Sequence, residues 1–175
     1  GYMLGGLTNQ SVKDSLLGVV SNWKKQSKRD LDLVFATPPC QGMSVANHKK
    51  GDELGRNSLV VDSINIIAQI KPKFFLMENV RSFLSTTCTD NDGKEKPIRE
   101  AIYENLESVY NIAARIINFK DYGASSSRTR TLVLGVRKDL LNTGPWEFFP
   151  DPKSAPTLRQ LIGNLPRLEA MGEIS

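Results

Sequence analysis

The chain has 175 residues, 39% of them hydrophobic and 24% charged, with a formal net charge of +4. That length suits one domain with a real core, and the composition excludes a disordered or fibrous chain. No apolar run approaches the about 18 residues that a membrane helix needs. One His, two cysteines (Cys40 and Cys88) and no Cys-x-x-Cys supply no metal-ligand cluster, and nothing marks a disulfide-stapled scaffold. The mild positive charge is compatible with a polyanionic partner but decides nothing alone.

Along the chain, Val12, Leu16, Val19 and Trp23 are spaced as one helix stripe over 9–26, with Asn9 or Ser11 as cap. An apolar run at 31–36 follows and breaks at Thr37-Pro38-Pro39-Cys40-Gln41-Gly42. Such a run bounded by breakers predicts a strand buried on both faces. Residues 41–57 form a long polar loop, of a length usual only for a binding or closing loop. Asn57-Ser58 then caps a helix bearing Val60, Ile64, Ile67 and Ile70, which Lys71-Pro72 stops. Phe74-Phe75-Leu76-Met77 predicts a second buried strand, ending at Glu78-Asn79-Val80.

Residues 85–97 are polar and contain Asp-Gly, which predicts a mobile surface loop. Ile98, Ile102, Leu106 and Val109 mark a third helix, and strands are expected near 111–119 and 131–136. The end of the chain, from Asn142, is rich in Pro and Gly and holds one weak helix around 157–165. Strands alternating with helices predict an α/β, Rossmann-like parallel sheet, with a last antiparallel pairing.

Ligands of open α/β sheets bind beyond the carboxyl ends of strands. Cys40 and Glu78 both fall at such ends, and Arg128 and Arg130 fall on the approach to the last strand. A thiol attacks as thiolate, a carboxyl group shares a proton, and guanidinium groups hold an oxygen; together they can perform nucleophilic addition to a polarised ring. Taken singly, each has a plainer explanation. A lone Cys at a strand end is usually a small hydrophobe, Glu after a strand is usually a solvated turn residue, and Arg-x-Arg is usually surface charge. The basic run at Lys24, Lys25, Lys28 and Arg29 reads as a solvated helix end. Only the combination, each part at a strand boundary, lifts the chemical reading.

Those residues resemble the cytosine-5 DNA methyltransferase family. Pro38-Pro39-Cys40-Gln41-Gly42-Met43-Ser44 is similar to its nucleophile motif, with Met43 where Phe is common, and Glu78-Asn79-Val80 is identical to its second catalytic motif. Tyr122-Gly123 through Arg128-Thr129-Arg130 resembles its Gln-x-Arg-x-Arg motif, and Phe149-Pro150 and Leu165-Pro166 its lead into the target-recognition region. The resemblance implies a Rossmann-like S-adenosylmethionine-dependent fold. In it Cys40 attacks C6 of a flipped cytosine, Glu78 holds N3, Arg130 contacts O2 and Arg128 braces the site. It further implies that Gln41, Ser44, Lys49 and Lys50 face DNA and that Pro38, Pro39 and Leu59 line the methyl donor.

The departures from the pattern carry expectations of their own. The glycine-rich cofactor motif is absent, Ser125 and Ser126 stand where the family has Pro and Gln, and Gly5-Gly6-Leu7-Thr8 resembles a remnant of a further cofactor motif. The chain is therefore expected to be the central part of a longer or split enzyme. Residues 1–141 would be a partial catalytic domain and 142–175 the start of the linker to target recognition. Alone it would bind S-adenosylmethionine weakly and be inactive. Its partners would be double-stranded DNA and the rest of the parent or a complementary chain, in the cytoplasm of a bacterium. A tRNA methyltransferase and a non-catalytic scaffold of the same fold are the alternatives. Gln41-Gly42 favours DNA, and a thiol hydrolase is disfavoured because His48 has no evident orienting partner.

Overall fold

The computed structural model describes residues 5–39, 53–140 and 144–165, with backbone alone for 53–58. Cys40, Gln41, Ser44, His48, Lys49, Lys50 and Pro166 lie outside the described residues.

Helix α1 spans Gln10–Ser27. The Asn9 side chain caps it by accepting from the Ser11 amide, and Lys28, at φ 54°, ends it in the left-handed region. Strand β1 (Leu33–Ala36), helix α2 (Glu53–Ile70) and strand β2 (Phe74–Asn79) form a parallel βαβ unit. The helix starts at Glu53 rather than at the expected Asn57-Ser58. Lys71, at φ 51°, and Pro72 stop α2 where expected.

The expected mobile loop at 85–97 is an ordered hairpin of β3 (Thr87–Thr89) and β4 (Glu95–Pro97). Its Asp92-Gly93 turn puts Gly93 at φ 76°, and Asp90 and Lys94 exchange a backbone bond across it. What orders the hairpin is burial. The Cys88 side chain points into the core, and Lys96 is enclosed by Asp90 at 3.1 Å, Asp92 at 3.2 Å and Glu104 at 2.5 Å. Helix α3 (Ile98–Leu106) follows, then β5 (Tyr110–Asn118) and β6 (Thr129–Arg137), and last the short helix α4 (Leu158–Ile162).

The main sheet has the order β1-β2-β6-β5. β1 and β2 are parallel, while β6 runs antiparallel to both of its neighbours. The last strand is thus inserted in the middle of the sheet, and its pairing with β5 is antiparallel, as the sequence predicts. One face carries Phe75, Met77, Val133 and Tyr110 against Val60, Ile64 and Ile67 of α2 and Ile98, Ile102 and Leu106 of α3. Phe75 meets Tyr110 edge to face at 5.0 Å, and the Tyr110 hydroxyl donates to the Pro72 carbonyl at 2.7 Å. Over the other face lies the turn at 145–148, with Phe148 edge-on to Phe74 at 5.3 Å and Trp146 and Phe149 under the Arg115 guanidinium.

That second face is uncovered at β1. Leu33 and Phe35 are 50% and 58% exposed, so β1 is an open edge strand and not one buried on both faces. The α1 stripe is likewise uncovered at Val19 and Trp23, because α1 turns Lys13 and Lys24 toward α2 instead, bonding Asp62 and the Ile70 carbonyl. Apolar periodicity predicts that a face wants covering; it does not say that the cover lies within the same 175 residues.

Candidate active site

The site is built from three strand ends at one edge of the sheet. β1 leaves Ala36 for Thr37-Pro38-Pro39, and its register pairs Ala36 with Met77, one residue before Glu78. Because β6 is antiparallel, its amino end arrives at the carboxyl end of β2, with Asn79 opposite Thr131 and Glu78 opposite Leu132. Alternation along β6 then places Arg130 on the Glu78 face and Thr131 on the Asn79 face. Glu78 and Arg130, fifty-two residues apart (130 − 78), form an ion pair with Nε 2.7 Å from Oε1.

The pair is half-buried, with side-chain exposures of 15% for Arg130 and 26% for Glu78. The Arg130 Nη1 also donates to the Thr129 carbonyl at 2.8 Å, which fixes the guanidinium plane. Glu78 Oε2 makes no hydrogen bond or ion pair among the described residues. One carboxylate oxygen is thus held by Arg130, and among the described residues the other has no partner, an arrangement suited to gripping a base edge. Arg128 does not join them: it precedes β6, its side chain is exposed, and its carbonyl accepts from the Phe119 amide at 3.0 Å.

Asn79 is the residue that the sequence reading passed over. It is 4% exposed on the core face. Its Nδ2 donates to the Pro38 carbonyl at 2.8 Å and its Oδ1 accepts from the Val80 amide at 2.9 Å, so the amide has one orientation. The bond fastens the Pro38-Pro39 turn to the end of β2, two residues before Cys40. The signal was available: Phe75, Met77 and Asn79 share one period-two face, and a polar side chain on a core face requires a partner.

On the far side of the turn lies a cleft of about 430 Å³. Pro38, Pro39 and Leu59, expected at the methyl donor, all line it, together with Gly5, Gly6 and Leu7 of the remnant motif. Val34, Phe35, Ala36 and Ile66 make the rest mostly apolar. Thr37 and Ser63 bring hydroxyls, but that of Ser63 already donates to the Leu59 carbonyl at 2.7 Å. No carboxylate lines it among the described residues. The cleft fits the apolar side of a cofactor, and no described residue in its lining offers a carboxylate to ribose hydroxyls.

Cys88, the second cysteine, is 1% exposed, and burial pushes its thiol up to about 11, helped by Asp90. It is held as a neutral packing group. Among the described residues no group of His, Cys, Asp and Glu could hold a metal ion, and no helix is long and apolar enough to cross a membrane.

A sheet with one reversed inner strand, and a site at the carboxyl ends of its parallel strands, is the architecture of S-adenosylmethionine-dependent methyltransferases. A solved methyltransferase encoded within an E. coli prophage superposes at a TM-score of 0.56 with 25% identity, covering 87% of this chain and 41% of its own. The DNMT2 of Spodoptera frugiperda has the same fold, at a TM-score of 0.50, 20% identity and coverage of 79% and 36%. The chain belongs to the C-5 cytosine-specific DNA methylase family, whose profile matches residues 11–172. Type II methyltransferase M.XorII of Xanthomonas oryzae is 31% identical over 150 residues, covering 84% of this chain and 32% of the relative. Type II methyltransferase M1.HgaI of Avibacterium volantium is 29% identical over 172 residues, covering 96% and 45%. The chain thus spans 32% to 45% of the length of these two relatives.

Proposed function

We propose that this chain is the catalytic centre of a DNA cytosine-5 methyltransferase that adds a methyl group to C5 of a cytosine swung out of the duplex. The observation that carries the reading is the Glu78–Arg130 pair, with one carboxylate oxygen unpartnered among the described residues, beside a Pro38-Pro39 turn fastened by Asn79.

In this reading Cys40 adds its sulfur to C6 of the base. Electron density then moves through the ring toward N3, where a proton shared with Glu78 neutralises it. Arg130, already turned to Glu78, reaches the adjacent O2, and Arg128 lies at the rim. When bound, S-adenosylmethionine would supply the methyl group that C5 takes and leave as S-adenosylhomocysteine, and Pro38, Pro39 and Leu59 would form an apolar wall beside it. Loss of the C5 proton to a base then expels the Cys40 thiolate and restores the ring. The base has to leave the stack because C6 is unreachable in the duplex, at a cost of a few kcal/mol. Gln41 and Ser44 would meet the DNA backbone, and Lys49 and Lys50 its phosphates.

The open edge of β1, with Leu33 and Phe35 exposed, supports a partner: the rest of the parent chain, or a complementary chain, completes the sheet and the cofactor cleft. Without it the chain would be inactive. Covalent trapping tests the reading. A duplex carrying 5-fluorocytosine, with the cofactor and the full-length protein, gives a stable adduct on the peptide containing Cys40, and Cys40→Ser abolishes it. Absence of any adduct in the cofactor-loaded, full-length protein sinks the catalytic reading in favour of a scaffold. An adduct with tRNA alone moves the substrate to RNA.

A further inference from the structure

Beyond the carboxyl end of β5 lies a second cleft, of about 620 Å³, which no step of the reaction uses. Lys120, Tyr122, Lys153 and Ser154 line it, with Asp121 as the single carboxylate of its lining. We propose that this cleft binds backbone phosphates of the DNA strand that carries the target cytosine, with Lys120 and Lys153 as the phosphate contacts. The proposal rests on the reading of Glu78 and Arg130 as the base-holding pair.

Its position argues for this. The lining begins at Ile116 and Ile117, and Ile117 is the register partner of Arg130. Neighbouring strands lie about 4.8 Å apart, so the cleft starts one strand spacing from the Arg130 backbone. Successive phosphates of one strand rise about 3.4 Å, which brings those next to a base held at Glu78 within reach of the cleft. Pro38, Glu78, Arg130 and Ile117 therefore lie in order across one sheet edge, as a track for a strand would require.

The walls are built rather than incidental. The Lys153 amide donates to the Asp121 carbonyl at 2.7 Å, tying the returning chain after Pro152 to the turn after β5. Gly123, at φ 85°, leaves room for the Lys153 stem, whose Cδ would stand 3.4 Å from a β-carbon there. Asn118 caps the Lys120 amide at 3.2 Å. Neither Lys120 nor Lys153 has an ion pair among the described residues, and the exposed Arg128 is bonded through its backbone to Phe119, next to Lys120. The cleft thus holds two cations without an ion pair among the described residues, on the edge where the nucleic acid would arrive.

The experiment uses the full-length protein and a fluorescein-labelled, mixed-sequence DNA duplex of about 30 base pairs, with anisotropy read from about 50 to 200 mM salt. Lys120→Gln/Lys153→Gln lowers the slope of log affinity against log salt by about 1.8, at about 0.9 per phosphate lost. Lys120→Arg/Lys153→Arg keeps the wild-type slope. Lys28→Gln/Lys138→Gln, at the opposite end of the sheet, also keeps it. An unchanged slope in the Lys120→Gln/Lys153→Gln protein overturns the proposal, as does an equal fall in the distant control. If Cys40 still traps 5-fluorocytosine while the slope does not move, the cleft fails alone. If the slope falls and no adduct forms, the cleft stands and the catalytic reading fails.

Discussion

Asn79 uses both ends of its amide, which makes it sensitive to a change of one atom. In Asn79→Asp an oxygen replaces the Nδ2 that donates to the Pro38 carbonyl, so two acceptors face each other in a site 4% exposed. Stability should fall by about 1–3 kcal/mol, the usual cost of a buried group left unpaired. Adduct formation at Cys40 should slow by more than Asn79→Ala slows it, because the aspartate repels the turn as well as releasing it. A urea titration and the trapping rate read the two effects separately.

Cys88 offers a contrast in the same chain. Its thiol should resist iodoacetamide at pH 8 in the native protein and react once denatured, as peptide mass would show. Its folded value of about 11 lies above the unfolded 9.0, so its stabilising contribution is complete below pH 9 and is lost as pH rises toward 11. Cys88→Ala should flatten that part of the stability profile. At this scale the sequence was informative about residue types and weak about partners. Glu78 and Arg130 were recognisable, but that they face one another follows from the direction of β6, which no local spacing encodes.

At the scale of the elements, Gly135 in β6 lies opposite Phe75, and a β-carbon there would stand 1.9 Å from the ring. Phe75 is fully buried against Tyr110 and cannot swing away. Gly135→Ala should therefore destabilise by about 1–3 kcal/mol or more, measured by thermal unfolding, although alanine has the better side chain for a strand. The β3–β4 hairpin depends on charge. The side chains of Lys96 and Asp90 are 9% and 4% exposed, and Asn105 donates to both Asp90 oxygens at 3.0 Å. Lys96→Ala removes the cation from a buried carboxylate that keeps only its Asn105 bonds and should lower the denaturant midpoint, whereas replacing Lys94, on the exposed turn, should leave it almost unchanged. The hairpin was hidden from the sequence because it is built of polar residues that satisfy one another. Polarity reads as loop, and only the partners turn it into structure.

At the scale of the whole molecule, β1 and β5 are the two edge strands of the sheet, and β1 exposes Leu33 and Phe35 beside a cleft that no carboxylate lines among the described residues. Calorimetry should find no tight, stoichiometric S-adenosylmethionine binding to this chain alone, and binding should appear when the segment that completes β1 is supplied. The order of elements and the motif-bearing strand ends were legible in the sequence. The coverage of β1 was not, because an apolar strand such as Leu33–Ala36 reads alike whether its cover is present or supplied from elsewhere.

The reversal of β6 also has a consequence for how the molecule comes into being. Its strand lies between β2 and β5 in space yet is the last of the four to leave the ribosome. Until Thr129–Arg137 has emerged, β2 and β5 each carry an unsatisfied edge, and Glu78 has no counter-ion. The inner position of the sheet is therefore filled last, by sliding a strand into a prepared slot, and a chain cut short before Thr129 would be sticky as well as inert. The act that closes the sheet is the same act that arms the site.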